Sequence, residues 1–205
     1  MENYPTEIQE AVKIMYEMRG NSEGMMTWKN FPLAKQIITL LDSIPNRSEH
    51  HTPYDKIFIL NFIIDNISSS DTPRFTIEIM EKELALLKEV LPADLEEYND
   101  PLTAEDIEEE LQMWRDYIDT EHFSNEEWCR KYSHYMKFDP IERSEIWEEK
   151  YYEIESTIDA ELMKEDMPRG LGFCFAYWSS KHKVLAEMGI EWQSPQEMNP
   201  GVVFD

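Results

Sequence analysis

The sequence predicts an all-α protein, a single compact bundle of seven or eight helices, on three observations. Between Gly24 and Gly170 there is no glycine, so the positive φ that tight hairpins draw on is scarce. The same stretch carries prolines at 32, 45, 53, 73, 92, 101, 140 and 168, and proline is at ease in the first turn of a helix. Between these marks, apolar residues recur at helical spacing. With 41% apolar and 12% aromatic residues, the chain has the material for one good core, or at most two small ones. We take 1–205 as one domain, with 168–205 as an aromatic, near-neutral C-terminal helix and a docked tail.

Each element has its own signal. Thr6 to Gln9 has the form of a capping box, and Ile8, Ala11, Val12, Met15 and Met18 follow at helical spacing, with Gly20 as a natural stop. Asn30 and Pro32 open a second helix through Leu33, Ile37, Leu40 and Ile44, ended by Pro45. Thr52-Pro53 starts a third, Tyr54 to Ile67, apolar nearly all round; that pattern places it at the centre of the bundle. Thr72-Pro73 repeats the start signal for a helix reaching Leu91, and a short turn over Asp94–Tyr98 bridges to Pro101. Thr103 caps a helix with Ile107, Leu111, Trp114 and Ile118 on one face. Ser124 to Glu127 is a capping box for a helix through Trp128 and Tyr132. Asp139-Pro140 begins the longest helix, to about Glu165, with Trp147, Tyr151, Ile154, Ile158 and Leu162 in register. Gly170 and Gly172 form a corner. A last long helix covers Phe173 to Met188, with Gly189 as the residue beyond its end and Ile190 packing back, and Ser194 to Glu197 starts one more turn. The apolar ending Val202, Val203, Phe204 is expected to dock.

The net charge of −24 is unevenly spread. Asp94 to Glu127 holds fourteen acidic residues and one basic residue, Arg115, whereas Pro168 to Asp205 is close to neutral. Such a body repels nucleic acid and anionic membranes, and attracts basic partners. No apolar run has the length of a membrane span, and no signal peptide is visible. Cys129 and Cys174 match no disulfide or metal framework, and two reduced thiols point to a cytoplasmic protein.

These features lead to a non-catalytic binding protein for a basic protein partner, of the inhibitor, immunity or DNA-mimic kind, with no cofactor. Its acidic face is expected from Glu108, Glu109, Glu110, Asp116, Asp119 and Glu121. A second face gathers Arg169, Trp178, Lys181, His182 and Trp192, where cations stand beside aromatics. Core packing weighs more than binding there, because Trp178 and its helix neighbours also fall at core spacing. The alternative function is an all-α, Mg2+-dependent nucleotide hydrolase. Its metal would sit between Glu78 and Glu81, which share a helix face, and Glu97 and Asp100. A chain with 43 acidic residues produces such pairs by chance, so the binding reading leads. Cys129 and His134 are five residues apart, and a continuous helix would turn them away from each other.

Overall fold

The computed structural model describes residues 4–96, 98, 101–164 and 170–204, and they contain helices and turns but no strand. The chain groups into two compact units, Met1–Arg115 and Asp116–Asp205.

In the first unit, α1 (Thr6–Glu23) packs on α2 (Asn30–Asp42), and α3 (Pro53–Asn66) packs on both and on α4 (Pro73–Leu87). α3 is therefore central, and Ile57, Ile59, Leu60 and Ile63 are buried on it. Phe58 is nonetheless more than half exposed, so one edge of this apolar helix reaches solvent. Its start is built as the sequence predicts. Thr52 N–H donates to the Asp55 carboxylate (2.7 Å), and Asp55 N–H donates to the Thr52 hydroxyl (3.3 Å). The end of α2 is built from outside the helix. Lys56, 3% exposed, donates from its ammonium to the carbonyls of Leu41 (2.7 Å) and Ile44 (2.9 Å) and to Asn46 Oδ1 (3.1 Å).

Several expectations shift at helix ends. α1 does not stop at Gly20 but runs to Glu23, and Thr6 gives it no cap; Pro5 stands before it and the Gln9 side chain donates back to the Tyr4 carbonyl. α2 opens at Asn30 as expected but ends at Asp42, ahead of Pro45, and Asn30 has a further role. Its side chain is buried, donating to the carbonyls of Met18 and Asn66 and so joining three helices. α4 stops at Leu87, short of Leu91, and a 3-10 turn follows over Pro92–Leu95.

α5 (Ala104–Ile118) crosses the division of the chain. In the first unit its Ile107 and Leu111 pack on Met80 of α4. The second unit continues with α6 (Asn125–Lys131), a 3-10 turn over Pro140–Arg143, α7 (Glu145–Lys164), α8 (Phe173–Glu187) and the single-turn α9 (Pro195–Met198). Asp139-Pro140 thus starts a separate turn, not the long helix itself. α7 and α8 form the core of this unit around Trp147, Ile154, Ile158, Leu162, Val184 and Leu185. Gly172 enters α8 at φ 79°. Gly189 ends it at φ 73°, with Ile190 N–H donating to Leu185 O and Gly189 N–H to Ala186 O, the predicted left-handed stop. Of the tail, Phe204 meets Trp178 edge to face (5.0 Å between ring centroids), whereas Val203 is 89% exposed.

Candidate functional site

The expected acidic face divides on inspection. Along α5, Ile107 and Leu111 point into the core, which leaves Glu105, Glu108, Glu109 and Glu110 exposed. Glu110 accepts a hydrogen bond from the Trp114 indole (3.2 Å). Arg115, the lone cation of this stretch, is committed to Glu81 of α4 (2.7 Å). Glu108 and Glu109 have no ion-pair partner among the described residues. Asp116 does not belong to a solvent face. It is buried, accepting from Lys131 (2.5 Å) and Tyr132 (2.7 Å), and this contact raises the Lys131 ammonium above its ordinary value. In the second unit, Glu121 is exposed, and the hydrogen bond from His122 (2.9 Å) holds the Asp119 carboxyl below the usual range.

The expected second face is largely interior. Lys181 is buried and donates to Glu155 (3.0 Å) and the Tyr177 hydroxyl (2.9 Å), with its ammonium 4.7 Å from the Trp147 ring centre. Trp192 is buried too, its indole donating to Glu142 (2.7 Å). His182 pairs with Glu197 (2.9 Å), and Trp178 is half-buried between Phe175 and Phe204. Arg169 lies outside the described residues. Trp178, Lys181, His182 and Trp192 therefore take part in packing and internal ion pairs, and Lys181 and Trp192 are buried.

For the metal alternative, Glu78 and Glu81 lie exposed on α4, Glu81 being held by Arg115. Glu97 and Asp100 lie outside the described residues. Among the described residues, no three His, Cys, Asp or Glu side chains converge as a metal site would require.

The second unit holds a cleft of about 460 Å3 that the sequence did not announce. Phe123, Phe138 and Met198 form its apolar walls, and Cys129, His134 and Arg143 bring polar groups to it. α6 ends at Lys131, and Ser133 adopts φ 55°, so the chain turns back with His134 N–H donating to the Cys129 carbonyl (2.8 Å). Cys129 and His134 are therefore not splayed around a helix. The sulfur lies 3.9 Å from His134 Nδ1. Burial first, then the nearby Glu126 carboxylate, pushes the Cys129 thiol above its ordinary value, opposite to what an activated nucleophile needs.

No protein-family model, curated protein or solved structure matches the chain. One further buried residue frames the cleft. Arg143, 1% exposed, donates to the carbonyls of Tyr117, Asp116 (3.1 Å) and Phe123 (2.9 Å) and to Asn125 Oδ1 (2.8 Å). Two of those carbonyls belong to the last turn of α5, so the guanidinium serves as its C-terminal cap, and the same residue lines the cleft. At Lys137 and Met198 the rim is tied by the adjoining Asn199, which exchanges two hydrogen bonds with the Lys137 backbone (2.8 and 2.7 Å). Sequence reading missed this rim, because Asn199 and Lys137 are 62 residues apart.

Proposed function

We propose that the protein is a non-catalytic binding protein that offers the outer side of α5 to a basic protein partner. The observation that carries this reading is the pair Glu108 and Glu109, exposed and with no ion-pair partner among the described residues, while Arg115 is bound to Glu81. Uncompensated charge on a surface projects a field that speeds the encounter with an oppositely charged partner. Nucleic acid is disfavoured as partner, because a chain of net charge −24 repels phosphates. Among the described residues no helix is long and apolar enough to cross a membrane.

Association kinetics test the proposal. A partner captured by the parent protein is measured against the Glu108→Lys/Glu109→Lys double variant over a salt series. Glu110 is left in place because it receives the Trp114 indole. The double variant should associate more slowly, with a weaker dependence on salt. Parental association rates at every salt concentration would reduce this surface to a solubilising one.

A further inference from the structure

We propose that Cys129 and His134 form a two-ligand site for a soft, thiophilic monovalent cation, with copper(I) chemistry, reached through the cleft of the second unit. The sulfur and Nδ1 stand 3.9 Å apart. Bonds from a d10 ion of about 2.3 Å to sulfur and about 2.0 Å to imidazole nitrogen span such a gap at a wide angle, without moving the backbone. The two ligands are held in place from several sides. The His134 ring packs against Trp128 (5.6 Å between centroids) and Phe138 (5.8 Å), and the chain reversal at Ser133 sets its approach to Cys129.

The ligand set selects the ion. A structural zinc site needs four donors and a hard divalent ion needs several oxygens, whereas among the described residues no group of three suitable side chains is present. A soft d10 monovalent ion is satisfied by two donors, and thiolate with imidazole suits it. The charged groups around the sulfur are Glu126, which favours a cation, and Lys137 and Arg143, which oppose it. Arg143 directs its guanidinium at carbonyl oxygens and Asn125. On binding, the Cys129 S–H bond is replaced by a sulfur–metal bond and the proton leaves to solvent; no electron is transferred. Affinity therefore falls as the pH is lowered.

The test is competition for copper(I) against a chromophoric copper(I) chelator, in the absence of reducing thiols. The second cysteine, Cys174, is the internal control for an ordinary thiol. The parent and Cys174→Ser proteins should each withdraw one equivalent with the same affinity. Cys129→Ser should withdraw none at that affinity, and His134→Ala should bind roughly tenfold or more weakly. His134 is exposed, and near-ultraviolet circular dichroism checks that its replacement leaves the fold around Trp128 and Phe138 in place. The proposal is overturned if the parent leaves the chelator complex intact, if Cys129→Ser competes like the parent, or if His134→Ala does. The last result would mean that Cys129 acts as a simple thiol.

Discussion

Around the guanidinium of Arg143 the acceptors are carbonyls at the end of α5 and in the loop that follows it. Removing the side chain leaves those oxygens buried without their donor, the costly half of a broken hydrogen bond. Arg143→Met should therefore lose about 3–5 kcal/mol in urea unfolding, and Arg143→Lys, with fewer donors in a different geometry, should lose an intermediate amount. A midpoint indistinguishable from the parent would mean that α5 ends without this cap. Glu83 presents the opposite situation. It is 1% exposed and its Oε1 has no hydrogen-bond partner among the described residues, with Glu110 and Asp65 as charged neighbours. Burial, reinforced by those two acids, lifts its carboxyl to about 8 from an ordinary 4.5. Between those values the folded chain keeps a proton that the unfolded chain releases, so stability falls as the pH rises. By pH 7 the loss is at most about 3 kcal/mol. Glu83→Gln cannot ionise, so its stability should fall less steeply than the parent's from pH 5 to 8; parallel curves would show Glu83 already ionised at pH 5.

At the level of helices, starts and ends differ in how local their chemistry is. Ser124 and Glu127 form the reciprocal bonds of the expected capping box, and the expected starts Thr52 and Thr103 form the same bonds with Asp55 and Asp106, whereas Thr6 and Gln9 do not. The left-handed stop at Gly189 is equally legible. Other ends are not, because the groups that complete them come from elsewhere: Lys56 for α2, Arg143 for α5. The meeting of Cys129 and His134 was hidden for a related reason. Nothing local marks Ser133 as the reversal point, and a continuous helix separates the two side chains. The acidic side of α5 was readable from periodicity, except for Asp116, whose partners Lys131 and Tyr132 are more than a dozen residues away. The tail illustrates the limit of hydropathy. Three apolar residues predict docking, yet Val202 and Val203 are exposed while Phe204 meets Trp178. Truncation after Pro200 should therefore cost only about 1 kcal/mol, the scale of one aromatic contact, as read from the denaturation midpoint. A loss of 3 kcal/mol or more would place Val202 and Val203 in the folded core after all.

For the molecule as a whole, the acidic stretch of the sequence and the division into two units meet in the same part of the chain. Acidic residues crowd 94–127, a stretch that includes the boundary at Arg115 and Asp116. The two cation-capped helix ends also give the chain an order in time. During synthesis the carbonyls that end α2 wait only 12 to 15 residues for Lys56. Those at the end of α5 wait 26 or 27 residues for Arg143. At about 5–20 residues per second, the later wait lasts seconds, during which those carbonyls lack their donor and the last turn of α5 is expected to fray. Hydrogen-exchange labelling of arrested nascent chains would register it. Amides of 115–118 should be unprotected in chains whose emerged part stops short of residue 140, and protected once Arg143 has cleared the tunnel. Equal protection in both would mean that this turn closes without its distant cation.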